Sequence, residues 1–291
     1  MHINIVTVKS GWILQKIGER IATGNTDKDH TFTVKHEPDL SADVNFYVDL
    51  DNCYFGNKTK FDIGFLTHSD KDSEDYLKHI FTSKNVYDMD GITGMNQRYI
   101  DMAIRIGYPK NKTKLMIPID AENTFSLKKT TLGIVSRGGY VGYGDLFLVE
   151  LFSSYDLSGF KIKILGSGWQ NVVDIGLELG IDIEYFPSED YTFYEGFYHS
   201  LDYLLIPTLC TAGPMSFPEA LSCGLPIISS EVGYVNYEFQ ADYVYPPGNT
   251  QKLFKILQKI RLPIEERRNQ IKGFNWENYR EELVEFIKEL Q

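Results

Sequence analysis

The stretch Thr211-Ala-Gly-Pro-Met-Ser-Phe-Pro-Glu-Ala-Leu-Ser-Cys-Gly-Leu-Pro-Ile-Ile228 holds residue types suited to gripping a phosphorylated ribonucleoside. It follows the apolar run Tyr203-Leu-Leu-Ile-Pro207, which reads as a buried parallel strand. Gly213-Pro214 suits a loop opening into a helix, since proline is tolerated where the first helical N–H has no partner. Gly224 ends that helix, and Pro226 stops it from continuing into a second apolar strand at Ile227. Amides at a helix start, placed at a strand's carboxyl end, attract phosphate. Gly213, Pro214, Met215 and Ser216 form that start, and Glu219, about two turns in, is placed to hold ribose hydroxyls.

Other residues suit other chemistry. Asp49-Leu-Asp51 is an Asp-x-Asp pair of the kind that holds a divalent cation on a diphosphate, although such pairs also arise by chance in an acidic chain. Tyr140, Tyr143, Tyr191 and Tyr194 fall in loops or helix starts, where rings can stack on a sugar face.

The elements that must position these groups alternate. His2–Val8 reads as a strand, Lys9-Ser-Gly-Trp12 as a turn and Ile13–Ala22 as an amphipathic helix. Short strands are expected at Val44–Val48, Ile63–Leu66, Asn85–Asp88 and Leu115–Pro118, with a helix over Met95–Ile106. After the polar stretch Asp120–Lys129 the rhythm is clearer. Strands are expected at Leu132–Val135, Lys161–Leu165, Ile181–Phe186 and Tyr203–Pro207, separated by helices over Leu146–Ser153, Val172–Leu179 and Tyr191–Leu201. This β-α-β-α order argues for a parallel, doubly wound α/β sheet. Trp276–Leu290 has its apolar residues at helical spacing and should lie on a domain surface or bridge two domains. The expected domains are 1–125 and 126–272, both Rossmann-like, followed by a helix over 273–291.

Composition narrows the function. A chain of 291 residues, 43% hydrophobic and 24% charged, suits two cores. A net charge of −11 argues against a protein that tracks nucleic-acid phosphates, because counterion release needs clustered Lys and Arg. Cys53, Cys210 and Cys223 are odd in number and lack metal-site spacing, so they read as reduced thiols. The start of the chain is too short for a signal peptide, and no run reaches the ~20 apolar residues of a membrane span. The expected location is cytoplasmic, including the surface of a membrane.

The motif around Glu219 resembles the nucleotide-sugar site of GT-B retaining glycosyltransferases of the family 4 type, whose pattern is Glu-Gly-(Phe/Gly)-(Gly/Pro)-x-x-x-x-Glu-Ala-x-Ala-x-Gly-x-Pro-Val-Ile. Glu219 falls on the second glutamate, which in the family binds the donor ribose, and Gly224 and Pro226 fall on its turn. Val135-Ser-Arg137 resembles the family's Gly-Arg-Leu, where the arginine meets the diphosphate. Leu165-Gly166-Ser-Gly168 resembles its Gly-x-Gly turn. Ser229-Ser-Glu-Val-Gly233 with Glu238 resembles the following loop, and Phe274-Asn-Trp276 the Phe-Ser-Trp before the last helix. The resemblance covers residues 130–280; the first half follows by architecture only. It implies that His68, at a strand end, and Gly11, in the first loop, approach the donor from a second domain facing the cleft. Two positions depart from the pattern. The family's first glutamate is Thr211 here, and its lysine after the arginine is Tyr143, which removes one cation from the diphosphate.

The expected activity is therefore transfer of a sugar from a UDP- or GDP-linked donor to a hydroxyl, with retention and without metal or other cofactor. Arg137 and His68 would act on the leaving group. The acceptor is open: a glycan, a lipid-linked glycan, a protein or a modified DNA base. Two rivals share the fold, a nucleotide-sugar epimerase and a binding-only subunit in which Thr211 and Tyr143 mark lost catalysis.

Overall fold

Short apolar runs build two parallel sheets, each flanked by helices. The computed structural model describes residues 1–8, 13–23, 29–67, 73–120, 125–187, 189–211, 213–233, 235 and 239–291. The chain divides into two units, 1–126 with 271–291, and 127–270.

The first unit runs β1 (His2–Val6), α1 (Ile13–Ala22), β2 (Thr31–Lys35), β3 (Val44–Tyr47), α2 (Leu50–Cys53), β4 (Asp62–Leu66), α3 (Glu74–Ser83), β5 (Gly91–Gly94), α4 (Gln97–Arg105) and β6 (Thr113–Leu115). Its sheet order is β2-β1-β3-β4-β5-β6, all parallel. The second unit runs β7 (Thr130–Val135), α5 (Asp145–Ser154), β8 (Phe160–Leu165), α6 (Gln170–Glu178), β9 (Asp182–Phe186), α7 (Tyr194–His199), β10 (Tyr203–Ile206), α8 (Ser216–Ser222), β11 (Ile227–Ser230), β12 (Tyr243–Tyr245) and α9 (Thr250–Asn269). Its order is β12-β11-β10-β7-β8-β9, again all parallel. The expected class, two doubly wound α/β domains, is the one observed. In the second sheet the strand order reverses between β7 and β10, the point where such sheets open a crevice at their carboxyl ends.

The last helix, α10 (Trp276–Leu290), belongs to the first unit. Tyr279, Leu283, Phe286 and Ile287 are buried in the core formed by β1, β3 and β4. At roughly 1.5–3 kcal/mol for each large apolar side chain removed from water, this face anchors the helix.

Five elements, β2, α2, α3, β12 and α9, carried no expectation, and three expected elements differ from those observed. Asn85–Asp88 is no strand: Val86–Asp88 forms a 3-10 turn after Asn85, which sits in the left-handed region at φ 53°. The neighbouring strand is β5, whose two glycines hide it from a propensity reading. A Cβ on Gly91 would lie 2.5 Å from Leu290, so the close helix is why a glycine stands there. Tyr191–Leu201 is not one helix but a 3-10 turn over Tyr191–Phe193 followed by α7. The strand expected at Leu115–Pro118 instead spans Thr113–Leu115.

Candidate functional site

A cavity of about 540 Å³ opens at the switch point of the second sheet. Three loops, after β7, β8 and β10, form its floor. The Ser136 N–H donates to the Leu165 carbonyl at 3.1 Å, and the Gly138 N–H to the Ser167 carbonyl at 2.8 Å. The buried indole of Trp169 donates to the Ser136 carbonyl at 2.9 Å. Gly166 has φ +127°, and a Cβ there would lie 2.1 Å from the Ser136 oxygen. Both the backbone conformation and the space therefore exclude a side chain. On the other flank the N–H groups of Leu209 and Cys210 share the Gly142 carbonyl, at 2.8 and 3.3 Å. These ties hold Arg137 and Tyr143 over the cavity, which both residues line. Arg137 is exposed, and its guanidinium has no carboxylate partner among the described residues. The Tyr143 ring meets that of Tyr140 at 5.7 Å.

The opposite wall is the approach to α8. Thr211, Gly213, Pro214, Met215, Ser216 and Glu219 all line the cavity, as does Gly166 from the β8 loop. The Gly213 N–H is taken by the Thr211 hydroxyl at 3.3 Å, so Thr211 shapes the loop. The Phe217 N–H closes a turn onto the Pro214 carbonyl at 3.0 Å. The amides of Met215 and Ser216 have no acceptor among the described residues and stand at the front of the helix. Pro218 is tolerated in the first turn, where its missing N–H costs nothing. Phe217 and Ala220 are fully buried and seat α8, and Gly224 at φ +66° ends it.

Glu219 is held from two sides. The Tyr198 hydroxyl donates to Oε2 at 2.6 Å, and the Tyr191 hydroxyl donates to Oε1 at 3.1 Å. Burial, and then the Glu219 carboxylate, push the Tyr198 phenol far above its ordinary value. The hydrogen bond to Glu219 raises the Tyr191 phenol too. Both tyrosines are thus donors at neutral pH, and the carboxylate is presented as an acceptor. The Tyr191 and Tyr194 rings meet at 4.9 Å on the same side of the cavity.

Of the residues singled out from sequence, the structure gathers Arg137, Tyr143, Gly166, Thr211, Gly213, Pro214, Met215, Ser216 and Glu219 around this one cavity. Gly11, His68 and Glu238 lie outside the described residues. Asp49 is buried and accepts from the N–H and the side chain of Asn52 at 3.2 and 2.8 Å, the bonding of a helix cap for α2. Among the described residues no group of three or more His, Cys, Asp or Glu side chains is placed to hold a metal. No helix among the described residues is long and apolar enough to cross a membrane. Sequence reasoning missed Tyr198. Its signal was there: it lies four residues after Tyr194 on α7, on the helical face next to the one already noted. It also missed Ser136, whose buried Oγ has no partner among the described residues and whose residue lines the cavity.

No protein-family model and no curated protein sequence matches the chain. Solved structures do. The apo form of the lipopolysaccharide outer core galactosyltransferase WaaB is similar at 14% identity over 99% of each chain, with a TM-score of 0.40. Anabaena Alr3699/HepE in complex with UDP-glucose is similar at 13% identity over 99% of each chain, with a TM-score of 0.40. Sucrose-phosphate synthase from Thermosynechococcus elongatus is similar at 11% identity over 100% of this chain and 99% of that one, with a TM-score of 0.41.

Proposed function

We propose that the crevice binds a nucleotide-diphosphate sugar and that the chain is a glycosyltransferase, retaining and independent of metal, acting on a hydroxyl acceptor. The observation that carries this reading is convergence. A guanidinium and two amides without partners among the described residues, and a doubly braced carboxylate, belong to residues that line one cavity at a topological switch point. Departure of the nucleoside diphosphate is the hard step, because negative charge grows on the leaving oxygen. Arg137 and the amides of Met215 and Ser216 are aimed to stabilise that charge, with little reorganisation because the loops are already tied. Glu219 accepts from the ribose and sets the donor's register. Tyr143, standing where the resembling family has a lysine, offers a phenol rather than a second cation, so Arg137 carries more of the diphosphate charge here.

Calorimetry with UDP, GDP and their sugar conjugates tests the reading. One nucleoside diphosphate should bind, and Arg137→Ala should weaken it by about tenfold or more. Unchanged affinity in that variant would remove the arginine's role, and no binding by any of the panel would end the proposal. With the bound donor and a hydroxyl acceptor, the anomeric configuration of the product reads out retention, and activity in a chelator reads out independence of metal. Binding without transfer or donor hydrolysis would favour the binding-only subunit.

A further inference from the structure

A second cavity, of about 680 Å³, lies at the opposite end of the second sheet from the crevice. The crevice loops follow β7 and β8, whereas this cavity is lined by residues that precede those strands and by α9. Arg261, on α9, lines it and is 6% exposed. Nη1 donates to the Lys128 carbonyl at 2.8 Å, the only hydrogen bond of this guanidinium among the described residues. Nε is fully buried without an acceptor, and Nη2 also lacks an acceptor among the described residues but is not fully occluded. Glu265 Oε1 stands 3.8 Å from Nε, close enough for an ion pair and too far for a hydrogen bond. Gly159 leaves the space for this group, since a Cβ there would lie 2.8 Å from Nε. An arginine cannot shed its proton, and a buried charge is costly unless it is paired and hydrogen-bonded. An acceptor oxygen entering the cavity therefore gains a bond that no described group of the protein supplies.

We propose that this cavity binds a monoanionic carboxylate that carries an apolar group, with Arg261 holding the carboxylate. The apolar group has walls to meet: Leu127, Phe160, Phe254 and Leu262 line the cavity. The Phe254 ring is fixed against that of Tyr155 at 4.4 Å, and the Phe160 ring lies 6.0 Å from Arg261 Cζ. The charges of the lining set the valence of the ligand. Lys129 is engaged by Asp182 at 2.8 Å, and Asp156 accepts from the Ser158 N–H at 2.9 Å. A dianion such as phosphate would face two lining carboxylates, Asp156 and Glu265, with one cation free to receive it. A single negative charge is matched by that cation, and an apolar body is matched by the walls. Neither Arg137 nor Glu219 takes part, so the site stands whatever the crevice binds.

Calorimetry on the full chain with phenylacetate, 2-phenylethanol and inorganic phosphate tests the site. Phenylacetate should bind at one site, with the uncharged alcohol and phosphate each weaker by about tenfold or more. Arg261→Gln should erase the preference for the acid over the alcohol. Glu265 is exposed, so Glu265→Gln keeps the fold and gives an answer even if Arg261→Gln does not fold. It should tighten phenylacetate about threefold by removing a like charge, and leave the alcohol unchanged. Leu262→Glu adds a like charge at a position 52% exposed and should weaken phenylacetate. Absence of saturable phenylacetate binding overturns the proposal, as does equal binding of the alcohol, or phosphate binding as tight or tighter. A full preference for the acid in folded Arg261→Gln overturns it too, as does an affinity indifferent to Glu265→Gln or to Leu262→Glu. Arg137→Ala, in the crevice, should leave phenylacetate affinity unchanged; a loss there would place the probe in the crevice and overturn the proposal.

Discussion

The two units share a sheet architecture, and two regions of them, a row across the first sheet and the crevice of the second, treat their polar groups in opposite ways. In the first, a row of hydrogen bonds crosses β2, β1, β3 and β4. Thr33 Oγ1 donates to Asn4 Oδ1 at 3.3 Å, Asn4 Nδ2 to Asn45 Oδ1 at 2.9 Å, and Asn45 Nδ2 to Thr59 Oγ1 at 3.0 Å. The row ends on the buried carboxylate of Asp62, which accepts from the hydroxyls of Thr59 and Tyr47 and from the Thr59 N–H. Burial raises the Asp62 carboxyl, and these bonds pull it back. In the second unit the polar groups at the crevice are left open: the Arg137 guanidinium, the Met215 and Ser216 amides and the orphaned Ser136 hydroxyl. Buried polar groups that satisfy one another specify a fold, whereas groups held in place without partners are available to a ligand. The difference between that row and the crevice is thus one between scaffold and site.

The sharpest way to break this contrast is at the crevice floor. Gly166→Ala forces a Cβ to within 2.1 Å of the Ser136 oxygen at an unfavourable φ. It should cost about 3 kcal/mol or more and abolish nucleoside diphosphate binding, read by chemical denaturation and calorimetry. A variant that kept both would show the loops to be less interlocked than described. Next is Asp62→Ala, which takes the acceptor from the buried Tyr47 hydroxyl and from the half-buried Thr59 donors. A loss of about 2–4 kcal/mol is expected, with nucleoside diphosphate affinity within about twofold of wild type. A large change in affinity would blur the scaffold and site assignment. The smallest effect belongs to the surface of the second sheet. Glu184 meets Lys161 and Lys163, and the Lys161 hydrogen bond holds its carboxyl below the ordinary 4.5. A carboxylate depressed in the folded state stabilises above its unfolded pKa, and that contribution fades as pH falls through the folded one. Because the pair is solvent-screened, Glu184→Gln should cost under about 1 kcal/mol at neutral pH and progressively less as the pH falls through the depressed folded-state pKa, seen as converging denaturation midpoints.

Where the fold was legible, local chemistry and tertiary need agreed. The β8 strand and its Gly166–Gly168 turn are readable because alternating apolar residues run straight into glycines that the loop requires. The helix over Trp276–Leu290 is readable from its periodicity, and Asn275, accepting from the Asn278 N–H at 2.8 Å, caps it. β2 and β5 were missed for a different reason. Thr31-Phe-Thr-Val-Lys35 is an edge strand with exposed positions, and Gly91-Ile-Thr-Gly94 has little intrinsic preference for extension. Each is a strand because distant neighbours pair with it, through β1 in one case and β4 and β6 in the other.

The candidate site divides along the same line. Glycine and proline punctuation, together with one carboxylate, was enough to mark α8 and its approach, although Glu219 stands in the first turn of α8 and not about two turns in, because the helix starts only at Ser216. Which groups reach Glu219 was a matter for the folded chain. Tyr198 and Tyr191 stand 21 and 28 residues away from it, and their hydroxyls meet its oxygens only because the crossovers into and out of β10 share one apolar cluster. Local sequence dictates turns and helix ends through φ and missing donors; contacts between distant side chains depend on how whole elements stack, which no window of neighbouring residues contains.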